Sequence, residues 1–331
     1  MTCLKCGKQT MAYPCKACGY NLFVSLAPLD TKGLSAAVTY RIGELTIASH
    51  PQLVYRCSYN SAAVISSGQA GSILHIPGKV NHLSVTSIGM GAFANNRATE
   101  IHIPSTVTSI GEKSFSHCSG LKILKIPHGV NYIYDYAFEH CASLEYISIP
   151  DSIVHIGKGA FFGCRKIKSM RIPNTAANFH DGKVMFQNCE SLTTVSLPES
   201  SHRIPENAFY GCKSLVSITI PESVDSIDAG AFSQCKGLRR FDFPKKVTSI
   251  GANAFGGCSS LTRIILPENV RYIGSFAFRG CSELTSVTVL GNETKIEREM
   301  FGLCRKLTLR VYKKSKAHAY AKANGIPFVI I

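Results

Sequence analysis

From about residue 96 onward the apolar positions recur in a frame of 23 residues, L-x-x-I-x-I-P-x-x-V-x-x-I-G-x-x-A-F-x-x-C-x-x. Pro104, Pro127, Pro150 and Pro173 are 23 apart, as are Pro198, Pro221, Pro244 and Pro267, with a step of 25 between the two series. Phe115, Phe138, Phe161, Phe186, Phe209, Phe232, Phe255, Phe278 and Phe301 keep the same register, each followed three residues later by a cysteine. A tenth, atypical copy surrounds Phe93, with Asn95 or Asn96 in the cysteine's place.

Each copy predicts one coil. A segment such as "LEYISIP" has the alternating, β-branched character of a strand. Proline ends it because it cannot donate to the next ladder bond. The Ile-Gly pair permits a tight turn, and A-F-x-x-C has the i, i+3 spacing of a helical or 3₁₀ turn. A single strand and turn have no second layer, so coils must stack to bury their apolar side chains. At roughly 4.8 Å per strand, about ten coils give a body near 50 Å long. The frame predicts an α/β repeat solenoid of about ten 23-residue coils.

Frames such as "IPSTVTSIGEKSFSHCSGLKIL", "IPESVDSIDAGAFSQCKGLRRF" and "LPENVRYIGSFAFRGCSELTSV" resemble the BspA-type leucine-rich repeat family, over roughly residues 70 to 312. The stretch from Leu53 to Phe93 looks like that family's opening hairpin and elongated first repeat. "SKAHAYAKANGIPFVII" looks like its closing cap, with Ser315 starting an Ala-rich helix and Gly325 ending it before a last strand. The resemblance implies a curved solenoid with a parallel β-sheet on its concave face, used to bind proteins, often in adhesion at bacterial or protist surfaces. The expected divisions are a zinc ribbon at 1–20, a linker at 21–36, a cap and first atypical repeat at 37–95, leucine-rich repeats at 96–312 and a helix-strand cap at 313–331.

The strongest chemical motif lies before the repeats. Cys3-x2-Cys6-Gly7 and Cys15-x2-Cys18-Gly19 have the spacing of two zinc knuckles, predicting a structural site in which four thiolates hold one Zn2+ tetrahedrally. Iron or two disulfides are the other uses of such a set.

The repeated cysteines carry a different expectation. Stacked side chains point the same way rather than toward each other, so Cys118, Cys141, Cys164, Cys189, Cys212, Cys235, Cys258, Cys281 and Cys304 read as small, reduced, buried residues beneath each Ala-Phe. With no export signal at the N-terminus, a cytoplasmic location is expected. No apolar run reaches the roughly 20 residues of a membrane helix.

Strand alternation puts one row of side chains outward. The candidate partner-binding residues are Lys125, Tyr146, Ser148, Arg171, Thr194, Ser196, Ser217, Thr219, Arg240, Asp242 and Arg263. This hydroxyl-rich face with scattered arginines suits a polar or acidic partner.

Charge adds one alternative. The chain holds 36 Lys and Arg against 21 Asp and Glu, a net charge of +15, and residues 291–331 have nine basic and three acidic side chains. Such an end attracts nucleic acid through its phosphates, and Lys5, Lys8 and Lys16 on the ribbon add to it.

Catalytic motifs are missing: the glycines belong to turns and form no phosphate loop or nucleophile elbow. His180 and Asp181, inside an irregular repeat, are the nearest approach to a reactive pair. The expected function is a non-enzymatic scaffold that binds a protein. The alternatives are a nucleic-acid-associated protein and a surface adhesin.

Overall fold

The computed structural model describes residues 53–68, 72–176 and 179–331, together with the backbone of four strands nearer the N-terminus, Thr2–Cys3, Phe23–Val24, Val38–Ile42 and Leu45–His50. About eleven turns form a parallel-sheet β-solenoid with little helix. Each turn contributes to three faces.

The first face carries the strand before the proline. Ile73–His75, Glu100–His102, Ile123–Lys125 and Tyr146–Ser148 pair in parallel, as do Ser169–Arg171 with Thr194–Ser196, and Arg263–Leu266, Ser286–Val289 and Thr308–Val311. Proline ends these strands and opens a reverse turn, in which Val130 N–H donates to Pro127 O at 3.1 Å and Val270 N–H to Pro267 O at 3.2 Å.

The second face is built from the Ser-Ile or Tyr-Ile pair before each Ile-Gly turn. Leu83–Ile88, Ser109–Ile110, Tyr132–Ile133 and His155–Ile156 form one ladder, and Arg203–Ile204 through Lys295–Ile296 another. At its N-terminal edge Ser61–Ser67 pairs in parallel with Leu83–Ile88, and the sheet continues antiparallel through Leu53–Cys57, Leu45–His50 and Val38–Ile42.

The third face corrects the expectation of a helical turn at A-F-x-x-C. The residue two before and the residue two after each phenylalanine hold positive φ, as with Asn253 (56°) and Gly257 (72°) around Phe255, or Tyr136 (55°) and His140 (54°) around Phe138. A left-handed residue on either side stops any helix from propagating. The N–H groups therefore alternate in direction. Phe115 donates to Ala137 O of the next coil at 2.8 Å, whereas Ser116 donates back to Lys113 O at 3.0 Å. The α/β label thus reduces to a β-solenoid joined by turns. Its helices among the described residues are the 3₁₀ turn Phe179–Asp181 and the terminal helix Lys316–Ala323. In that helix the Ser315 hydroxyl caps the first turn by accepting from His318 N–H at 3.1 Å.

Two columns run through the core. Ten phenylalanine rings, Phe93 to Phe301, stack nearly parallel with centroids 5.0–5.8 Å apart. Beside them stand the cysteines, unpaired and buried except for the half-buried Cys304. Each thiol donates to the carbonyl of the preceding coil's phenylalanine, for example Cys141 Sγ to Phe115 O at 3.1 Å and Cys258 Sγ to Phe232 O at 3.1 Å.

The column has a built end on each side. Asn96 takes the cysteine position in the first coil and donates to Ser67 Oγ and Gly68 O of the hairpin, at 3.1 and 3.0 Å. At the other end the Tyr320 hydroxyl faces the backbone N–H groups of Met300 and Phe301, which no later coil reaches.

The irregular repeat interrupts the second face. Relative to the frame its two extra residues are His180 and Asp181, which fall in the 3₁₀ turn, while Phe179 fills the position of the buried isoleucine. Among the described residues no second-face strand forms there, and the two ladders of that face are separate.

Candidate functional site

Where the second face has strands of two residues in the repeats, such as Tyr132–Ile133 and Tyr272–Ile273, the first face carries longer ones of three or four, such as Ile123–Lys125 and Arg263–Leu266. Its outward side chains form two rows, one through Glu100, Ile123 and Tyr146 to Ser169 and Thr194, the other through His75, His102, Lys125 and Ser148 to Arg171 and Ser196. Both rows continue toward the C-terminus through Ser217, Arg240 and Arg263, and through Thr219 and Asp242.

Of the eleven candidate residues, ten are exposed and Ser148 is half-buried. Arg171 is held by Asp151, with Nη1 to Oδ1 at 2.7 Å, so part of its charge is answered on its own surface. Ion pairs of this exposed kind contribute about 0–1 kcal/mol. The rows therefore set which chemistry the face presents rather than how stable the solenoid is.

One expectation fails on this face. "LVSITIP" and "LRRFDFP" read as strands, but Ser217–Thr219 and Arg240–Asp242 belong to no ladder. The inward positions of the second segment hold Phe241 and Phe243 where other coils hold smaller residues. Phe241 packs edge-on against Phe232 at 5.0 Å and Phe255 at 4.7 Å, and Phe243 against Phe255 at 5.6 Å. These rings lie beside the central stack where the two segments leave the ladder, and the face has a second break between Tyr146–Ser148 and Ser169–Arg171. Cavities of about 360 Å³ and about 670 Å³ flank Arg240.

The remaining chemical groups follow the repeat. His75 and His102 stack at 4.3 Å, and His117 and His140 at 4.8 Å, because equivalent positions of adjacent coils carry the same residue. Burial, with His117 alongside, lowers the pKa of His140. Burial pushes Cys189 and Cys258 up to about 12, which keeps these two thiols protonated and poorly nucleophilic, whereas the contact with Cys281 lowers the pKa of the half-buried Cys304. Among the described residues no group of three or more His, Cys, Asp or Glu is arranged to hold a metal.

Of the predicted zinc ligands, Cys6, Cys15 and Cys18 lie outside the described residues, and Cys3 is described only as strand backbone paired with Phe23. Among the described residues no helix is long and apolar enough to cross a membrane. In the basic C-terminal segment, Lys295, Lys306 and Lys316 pair with Glu297, Glu283 and Glu293.

Comparison with known proteins agrees with this geometry. The family described as "BspA type Leucine rich repeat region (6 copies)" matches residues 86–183 and 181–308. A crystal structure of a leucine-rich repeat protein from Bacteroides ovatus is 32% identical, covers 82% of this chain and 70% of its own, and superposes with a TM-score of 0.72. The T. pallidum leucine-rich repeat protein TpLRR is 27% identical over 56% of this chain and 87% of its own, with a TM-score of 0.53. The pneumococcal vaccine antigen PcpA shares the fold at 15% identity and a TM-score of 0.51, covering 90% of this chain and 100% of its own. Among curated proteins no match is found. With the family match spanning most of the chain and the coil geometry agreeing, the chain belongs to the BspA-type leucine-rich repeat proteins.

Proposed function

We propose that this chain is a non-enzymatic scaffold that binds another protein across the outward rows of its first face. The observation that carries the reading is the face itself: two rows of exposed Ser, Thr, Tyr, Lys and Arg side chains, held in register within each ladder of the face. Rigid backbone under exposed, mostly unpaired polar groups is what a recognition surface needs, since little order remains to be imposed on binding. Leucine-rich repeat proteins of this type are generally protein-interaction scaffolds.

A photo-crosslinking amino acid at Tyr146 or Thr219 tests the assignment against the same group at Ser249 on the second face. The two first-face positions should capture one common partner that Ser249 does not. Equal capture from both faces would refute the choice of face.

The N-terminal cysteines support a second, separate proposal. Cys3, Cys6, Cys15 and Cys18 hold one structural Zn2+, because two C-x2-C pairs supply four thiolates at tetrahedral spacing. Metal analysis of the intact chain should return one zinc per chain, and none after Cys15→Ser and Cys18→Ser together. Retention of full zinc by that variant would overturn the ligand set.

A further inference from the structure

The interrupted part of the first face combines features found together nowhere else along it. Arg240 and Arg263 occupy adjacent places in one row, with Arg239 beside them and Arg310 two coils further on. Several basic side chains elsewhere are answered locally, as Arg171 is by Asp151, Arg203 by Asp228 and Lys306 by Glu283, while among the described residues Lys125 stands alone on the same face. Among the described residues none of Arg239, Arg240, Arg263 and Arg310 pairs with a carboxylate. Like charges side by side repel, and an incoming anion relieves that repulsion.

The floor between these arginines is apolar. A cavity of about 360 Å³ is lined by Phe241, Phe243, Ile264, Ile265, Pro267 and Leu290, with Arg240, Arg263 and Lys245 among its walls. Ile265 is 62% exposed, an unusual position for a bulky aliphatic side chain in a row of Ser, Thr and Arg. Neighbouring cavities of about 370 Å³ and about 670 Å³ adjoin it at Arg263 and Arg240, and the three side by side are called the trough. No backbone hydrogen bond joins Ser217–Thr219 to Arg240–Asp242, leaving main-chain donors and acceptors that other coils use on each other.

We propose that this trough receives an extended acidic peptide carrying a bulky apolar side chain. Its carboxylates meet Arg240 and Arg263, which can each make paired hydrogen bonds to a carboxylate. Its apolar side chain covers Ile265 and the Phe241–Phe243 floor. Four coil spacings of about 4.8 Å, from Ser217 to Arg310, accommodate about six extended residues. A nucleic acid fits less well, because Asp242 and Glu283 stand among the arginines and the floor holds no exposed ring on which bases stack. The inference rests on the first-face reading and deepens it.

The test uses fluorescence anisotropy with the full chain and a labelled peptide of alternating Glu and Leu, polyglutamate of equal charge, and an oligothymidylate of equal charge. Arg240→Glu with Arg263→Glu should weaken the Glu-Leu peptide at least tenfold, and added salt should do likewise. Ile265→Ser should weaken it about threefold while leaving polyglutamate unchanged, as loss of one aliphatic contact implies. All three positions are exposed, and an unchanged circular dichroism spectrum and melting temperature would confirm that the variants fold. No binding of the Glu-Leu peptide, indifference to the double arginine variant, or stronger binding of the oligothymidylate would each overturn the proposal. If a partner crosslinked from Tyr146 is still captured by the double variant, the trough assignment falls while the first-face reading stands.

Discussion

Alkaline pH should dismantle the solenoid through its cysteine column. Cys189 and Cys258 are fully buried, and burial raises their thiols from an ordinary 9.0 to about 12. In the unfolded chain the same thiols lose their protons near pH 9. Between those values the native state binds more protons than the unfolded one, so stability is fully present below about pH 9 and falls as pH rises toward 12. The linkage relation gives a loss of about 2.5 kcal/mol per thiol between about pH 8 and pH 11, or about 5 kcal/mol for this pair. Cys141, Cys164, Cys212 and Cys235 shift in the same direction for the same reason. A typical domain is stable by about 5–15 kcal/mol, so the column as a whole can unfold the protein before pH 11.

The assay is urea unfolding under reducing conditions, followed by circular dichroism at intervals across that range. It compares the parent chain with the double variant Cys189→Ala and Cys258→Ala. The variant starts less stable because it loses two buried thiols and their hydrogen bonds to Phe161 O and Phe232 O. Its stability should then decline about 5 kcal/mol less than the parent's over the same interval. Equal declines in the two proteins would refute the reasoning.

Three further outcomes follow from the core and its ends. Phe209→Ala opens the ring stack between Phe186 and Phe232, at 5.5 and 5.3 Å, and should cost about 3–5 kcal/mol in urea unfolding. Hydrogen exchange should show the lost protection centred on the coils around it, since each coil contacts mainly its neighbours. Asn96→Ala removes the donors to Ser67 Oγ and Gly68 O and the acceptor for Ala98 N–H, so about 2–3 kcal/mol should be lost, with faster exchange in Ser61–Ser67. Tyr320→Phe should leave the Met300 and Phe301 N–H groups without the hydroxyl, lowering stability by about 1–3 kcal/mol. Exchange should rise at the C-terminal coils and stay unchanged at the N-terminal hairpin.

What was legible in the chain was whatever recurs. A 23-residue period places Leu, Ile, Val, Phe and Cys at fixed positions, and only stacking buries them together, so the solenoid, the buried reduced cysteines and the strand before most of the prolines follow from the sequence. The thiol donors were not legible, because a small apolar-looking residue gives no sign that its sulfur faces a carbonyl of the previous coil. The turn conformation was hidden as well. Residues as different as Tyr136, Phe276 and Gly159 adopt the same left-handed backbone, imposed by the bonds each coil makes to the next.

The candidate site divides the same way. Strand alternation by itself determined which side chains point outward from the first face. Only the tertiary structure decided that two neighbouring segments leave the ladder, and there Phe241 and Phe243 meet Phe255 of their own coil and Phe241 meets Phe232 of the coil before. It also decided which arginines are answered by carboxylates, because those partners lie about one repeat away in the chain, as Asp151 does from Arg171. Periodicity is local information repeated. The trough arises where the repeat is broken by contacts between coils, which no single period contains.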